Sequence, residues 1–239
     1  MKAARDYPIL TVTAKGTRWL ESGHPWVYDS DVAREPDESE CENGALVDVV
    51  SEKGKYLGTG FLSRLSKLRV RIVSRNANDR FDENFWRRRV RYAWDYRKTV
   101  MGETDSRCCR LIFGEADLFP GLTVDKFHDL LSVQVLSVGM ENLQDLLLPA
   151  LVDILRQDGQ PIRGVFLRND VALRDKEGLP QGKGWYPLPG ETPPDSPVVE
   201  IVENKTLHSV LFCSFPLFNA GKQPSFPRFP RSFQHFHGG

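Results

Sequence analysis

Four cysteines, Cys41, Cys108, Cys109 and Cys213, are the thiols that could act as nucleophiles. A thiol attacks carbon as its thiolate, which forms near neutral pH only beside a base or cation that lowers its pKa. Cys108 and Cys109 border a basic segment, but no partnering base stands near them, so they read as structural thiols and no catalytic residue is assigned. Glu115 and Asp117 have the spacing of an acid–base pair. They precede Pro120-Gly121, however, where carboxylates accept from turn amides, and a structural role is expected. His24 and His128 are isolated, and His235 with His237 lacks a second ligand pair at useful spacing, so no metal site is expected. What remains is positive charge. From Arg64 to Arg110 there are 14 Lys and Arg against 6 Asp and Glu, interleaved with Phe81, Phe85, Trp86, Tyr92, Trp94 and Tyr96. Cations beside aromatic faces suit a polyanion with stackable bases. The same pattern also describes a solvated helix whose aromatics are core.

The elements that must position these groups follow from periodicity. Residues 8–75 are β-rich. Strands are predicted at 9–12, 26–28, 45–50, 56–62 and 68–73, with a short helix over 15–22 ended by Gly23. Alternation along Leu68-Arg69-Val70-Arg71-Ile72-Val73 puts one face inside and presents Arg69 and Arg71 on the other. Short strands with regular turns predict a small β-barrel, into which Trp26 packs as core. Residues 82–100 predict a helix capped by Asp82, with Trp86, Val90, Ala93 and Trp94 as its apolar stripe. Strands at 111–113, 122–127 and 130–137, a helix over 141–157 and strands at 164–168 and 198–202 follow. The stretch 178–197 reads as one loop, with the glycines from Gly178 to Gly184 as linker. The fold class is therefore α+β: a small barrel, then a strands-helix-strands domain.

The chain has 239 residues, 32 basic and 32 acidic, with 40% apolar and 27% charged residues. That composition excludes collagen-like, wholly disordered and disulfide-scaffold classes. No apolar run is long enough to span a bilayer, and the N-terminus lacks a signal-peptide core. A cytoplasmic location with free thiols and no membrane contact is expected. Residues 111–206 hold 8 basic and 15 acidic residues, so this part is not expected to lie flat on a polyanion. The last 33 residues hold 7 of the 14 Phe and no acid, a sharp break in composition.

Four runs carry a family resemblance. They are Lys15-Gly16-Thr17-Arg18 with Ser22-Gly23-His24-Pro25-Trp26-Val27-Tyr28; Gly54-Lys55-Tyr56-Leu57-Gly58-Thr59-Gly60-Phe61 with Ser66 and Val70-Arg71-Ile72; Arg110 through Asp125, with Gly114-Glu115-Ala116-Asp117 and Pro120-Gly121 inside it; and Arg168-Asn169-Asp170 with Arg174 and Glu177-Gly178-Leu179. Together they resemble the bacterial PUA-domain-containing, S-adenosylmethionine-dependent rRNA cytosine-C5 methyltransferases of the large-subunit methyltransferase I type. The resemblance implies a PUA-like RNA-binding domain over 8–75 and the family's middle domain over 80–204. It places RNA along the first helix and a glycine-containing loop: Lys15, Gly16, Arg18, Gly23 and His24, with Arg64, Lys67, Arg69 and Arg71 extending the surface. Glycine would let a phosphate approach the backbone while Lys15 and Arg18 supply counter-charge.

In the family a Rossmann-like domain follows, which binds S-adenosylmethionine and carries the nucleophilic cysteine. Such a domain needs on the order of 150 residues, so it is not expected here. No cofactor is assigned to this chain, which is expected to be inactive alone. Residues 205–239 are expected to be an irregular tail, read out of frame. Gly221-Lys222-Gln223-Pro224-Ser225-Phe226 there looks like a scrambled form of a family motif. The partner implied is RNA, large-subunit rRNA in particular. Two other readings stand beside this one. The chain could recognise RNA for a separate catalytic polypeptide, or it could be a non-enzymatic interaction module.

Overall fold

The structure is a computed structural model and describes residues 6–101, 105–203 and 206–211. Short apolar segments in the first part of the chain build a six-stranded sheet. Its strands are β1 (Ile9–Val12), β2 (Trp26–Tyr28), β3 (Val32–Arg34), β4 (Leu46–Ser51), β5 (Tyr56–Leu62) and β6 (Leu68–Ser74). The spatial order is β2-β6-β5-β4-β1-β3. Only β1 and β4 run parallel, with Ile9 opposite Asp48. A parallel pair needs a crossover, and helix α1 (Ala14–Glu21), β2 and β3 provide it. Helix α1 starts where Thr13, in extended backbone, accepts from the Gly16 amide at 3.2 Å, a side-chain N-cap. The sheet curls around Leu10, Val12, Leu20, Val27, Val47, Val49, Leu57, Leu62, Val70 and Ile72. Gly60 is required because β5 and β6 approach so closely that an added Cβ would meet the Arg71 carbonyl at 2.4 Å.

The second sheet has order β11-β10-β9-β8-β7, from β7 (Cys108–Phe113), β8 (Leu122–Phe127), β9 (Leu130–Val135), β10 (Gly164–Arg168) and β11 (Lys183–Trp185). Helix α2 (Glu83–Val100) packs with it through Phe85, Trp86, Val90, Ala93 and Trp94. Its predicted cap is present, Asp82 accepting from the Phe85 amide at 2.8 Å. Strands β9 and β10 are parallel and are linked through α3 (Val138–Asn142) and α4 (Gln144–Gln157). The fold is α+β, as the order of elements predicts.

Three expectations need correction. The single helix over 141–157 is two helices, broken at Leu143. The stretch 178–197 contains β11, paired with β10 from Phe166 opposite Trp185 to Arg168 opposite Lys183. Regular structure also runs past residue 205: β12 (Val198–Glu203) and β13 (Thr206–Leu211) pair as an antiparallel hairpin. Residues 212–239, the rest of the expected tail, lie outside the described residues.

The two sheets share a junction. Phe61 of β5 lies in the second core, its ring 6.0 Å from Trp86 and nearly parallel to it. Arg71 of β6 is buried, not presented to solvent, because the second sheet's 174–177 turn covers that face. Its Nη2 donates to Glu177 Oε1 at 2.9 Å, and Ser63 Oγ donates to Glu177 Oε2 at 2.9 Å. Glu177→Ala would leave the buried guanidinium with Glu115, 3.7 Å away, as its remaining carboxylate. It should destabilise the protein by about 3–5 kcal/mol, seen as a lower urea midpoint, with a smaller loss when Arg71→Leu is added. An unchanged midpoint would show that the pair does not hold the junction.

Asp158, just after α4, accepts from Lys98 Nζ (2.6 Å), Arg91 Nη1 (2.8 Å) and Trp94 Nε1 (2.9 Å), which ties α2 to α4. The Lys98 bond first, then Arg91 and Trp94, pull its carboxyl from 3.8 down to about 2. A depressed carboxyl contributes stability above its unfolded pKa and loses it as pH falls through the folded value. Wild type should lose this contribution between about pH 3.8 and 2. In thermal melts at a series of acid pH values, Asp158→Asn should start less stable and fall less steeply across that window.

Candidate nucleic-acid interface

The inner face of α1 is Gly16 and Leu20; its outer face carries Lys15, Arg18 and Trp19. Lys15 Nζ lies 3.0 Å from Asp31 and its side chain is 59% exposed. Arg18 and Lys67 are exposed and have no ion-pair partner among the described residues. After α1 the chain reverses through Gly23, whose φ of +96° suits only glycine. The reversal is pinned twice. The His24 amide donates to the Trp19 carbonyl at 3.1 Å. The Arg75 guanidinium donates to the carbonyls of Leu20 (2.7 Å) and His24 (2.8 Å), and partial burial there lowers its pKa.

Helix α1, this loop and β2 together display four rings. His24 is central, with centroids 5.4 Å from Trp19, 5.5 Å from Trp26 and 6.1 Å from Tyr28. Trp19 is 49% and Tyr28 37% exposed. Trp26 corrects an expectation: it is not barrel core. On β2 it is Val27 that points inward, and the Trp26 indole donates to Glu115 Oε1 at 2.9 Å across the junction. Lys67 flanks the far side, its carbonyl accepting from the Asp29 amide at 3.0 Å.

Of the residues assigned to RNA, the structure thus brings Lys15, Arg18, Gly23, His24 and Lys67 around one surface. The others are engaged elsewhere. Gly16 is buried, where a Cβ would press on Asp31 and Val12 at 3.1–3.2 Å. Arg64 donates to Glu35 and to the carbonyls of Pro36 and Cys41, which fastens the 35–41 loop. Arg69 reaches Glu35 and the carbonyls of Ser63 and Arg64, and Arg71 lies in the junction. Trp19, Tyr28 and Arg75 were not singled out. The available signal was Trp19 beside Arg18 on the polar face of an amphipathic helix.

The densest basic run is largely structural. Arg97 makes a bidentate pair with Asp117 (2.9 and 2.6 Å), and Arg110 pairs with Asp125 at 2.8 Å. Arg89 donates to the carbonyls of Val73 and Leu118 at 3.0 Å, and burial lowers its pKa to about 10. Asp117 also accepts from the Phe113 amide at 2.7 Å, the turn role expected of it. Burial pushes the Cys109 thiol up to about 11 and raises Cys41, so neither supplies a thiolate near neutral pH. No metal-binding group of three or more His, Cys, Asp or Glu occurs among the described residues, and no helix there is long and apolar enough to cross a membrane.

An adenosine cofactor in an open α/β sheet sits where a parallel strand feeds a helix through a glycine turn. Strand β9, parallel to β10, leads through Leu136 and Ser137 into α3, which holds Gly139. Gly139 there meets the Phe61 ring, 2.2 Å from where a Cβ would stand. Phe61 of the first sheet thus covers the start of that helix.

Removing the Arg75 clamp tests how the surface is held. Arg75→Ala should cost about 1–3 kcal/mol and speed hydrogen exchange of the His24 amide. Unchanged exchange would show that the backbone bonds alone hold the loop.

Residues 10–75 match the family model of the PUA-like domain. Ribosomal RNA large subunit methyltransferase I of Cronobacter sakazakii is 37% identical over 193 residues, 80% of this chain and 46% of that protein. The enzyme of the same name from Klebsiella pneumoniae is 33% identical over 188 residues, 79% and 45% of the two chains. The chain thus spans about half the length of the curated relatives it matches. Among solved structures, one described as "a putative sam-dependent methyltransferase from Streptococcus mutans" aligns with a TM-score of 0.63 at 18% identity. It covers 85% of this chain and 48% of that one, a likeness of fold. The chain carries a PUA-like domain and is homologous, over about four-fifths of its length, to ribosomal RNA large subunit methyltransferase I.

Proposed function

We propose that this chain recognises large-subunit ribosomal RNA as the recognition portion of a cytosine-C5 methyltransferase, and that these 239 residues do not transfer a methyl group by themselves. The observation that carries the reading is the α1–β2 surface of the PUA-like domain, where Lys15, Arg18 and Lys67 stay exposed while Arg64, Arg69 and Arg71 are engaged internally. Exposed cations on a rigid helix can meet phosphates and set the register of a folded RNA. The second sheet's part is to hold that surface, through Glu115 on Trp26 and Glu177 on Arg71.

Phosphate contacts release counterions, so affinity should fall as salt rises. With a large-subunit rRNA fragment, Lys15→Ala combined with Arg18→Ala should weaken binding and lower the salt slope by about 2. Arg69→Ala should leave the slope unchanged. Calorimetry with S-adenosylmethionine should show no saturable binding. A saturable signal, or a slope indifferent to Lys15 and Arg18, would overturn the reading.

A further inference from the structure

We infer that the ring cluster on this surface is a stacking site for one unpaired RNA base, with Trp19 as its platform. The inference rests on the RNA-recognition reading and names the feature of the RNA that is read. Four aromatic rings meet at the rim of the first sheet, yet none is covered by a parallel neighbour. The interplanar angles are 60° for Trp19 with His24, 81° for His24 with Trp26, 41° for His24 with Tyr28 and 84° for Trp26 with Tyr28. An edge-on or tilted contact occupies at most one face of a ring. Half of Trp19 is open to solvent, although it is one of the largest apolar side chains in the molecule.

The cluster is also held in place before any ligand arrives. Arg75 clamps the backbone under it from two carbonyls, and Glu115 fixes the Trp26 indole from the other sheet. Its surroundings favour a polyanion over an apolar protein segment: Lys15 and Arg18 stand on the same helix as Trp19, and Lys67 flanks the strand that carries Tyr28. Of the nearby acids, Asp31 is engaged by Lys15, Glu21 by Lys55 and Glu115 by Trp26, while the exposed Asp29 accepts from the Ser30 amide. In a duplex the base faces are occupied by their neighbours, so a stacking platform selects a base in a loop, bulge or end.

The test compares three probes: a hairpin RNA, the same hairpin with abasic loop positions, and the blunt duplex of its stem. Wild type should bind the intact hairpin about 5- to 100-fold more tightly than the abasic one. In Trp19→Ala that difference should vanish, duplex binding should match wild type, and Trp19→Phe should restore part of the preference. Circular dichroism and melting of each variant confirm that it folds. If wild type does not distinguish intact from abasic hairpin, or if Trp19→Ala weakens all three probes equally, the stacking site is wrong while RNA recognition stands. If no probe binds in a salt-dependent way, the underlying reading fails and this inference with it.

Discussion

A carboxylate as deeply buried as Glu177, 2% exposed, needs a cation beside it and donors for both oxygens. Arg71 and Ser63 meet that demand from the first sheet, so the 174–177 turn can sit in only one place over β6. The turn is itself fastened from the other side. Arg174, 1% exposed, donates to the carbonyls of Val135 and Pro180 and makes a bidentate pair with Glu141. Phe61 adds the apolar part of the same contact by filling the space beside Gly139. Two sheets with separate cores thereby behave as one body at this junction.

The junction also explains where the arginines go. A planar guanidinium can serve several carbonyls or both oxygens of a carboxylate, which suits it to buried positions. Arg64, Arg89, Arg97, Arg110 and Arg174 all act this way. The cations left for a ligand are fewer and sit on α1 and beside β2. They surround rings whose orientation the junction helps to set through Glu115. The runs most like the methyltransferase family therefore do different work. Lys15 to Tyr28 builds the outer surface, whereas Arg110 to Asp125 and Arg168 to Glu177 build the contacts that hold it.

The periodic elements were legible because their causes are local. Asp82 caps α2, alternation marks β6, and the apolar stripe of α2 is its buried face. Short or interrupted elements were not legible: β11 spans three residues, and the break at Leu143 interrupts an apolar pattern that continues across it. Part of the candidate site was legible too. Lys15, Arg18, Gly23, His24 and Lys67 were named, while Trp19 and Tyr28 were passed over because an exposed aromatic cannot be told from a core one by type.

The α+β class, the order of the main strands and helices and the positive charge on the first helix are legible in the residues alone, since each depends on neighbours within a few residues. Which charges face solvent depends on contacts between residues far apart in the chain. Arg69 and Arg71 share one face of β6 by alternation, but Glu35 meets the first, and a turn a hundred residues further on covers the second. Alternation reports that a face is polar; it carries no information about whether water or a distant carboxylate satisfies it.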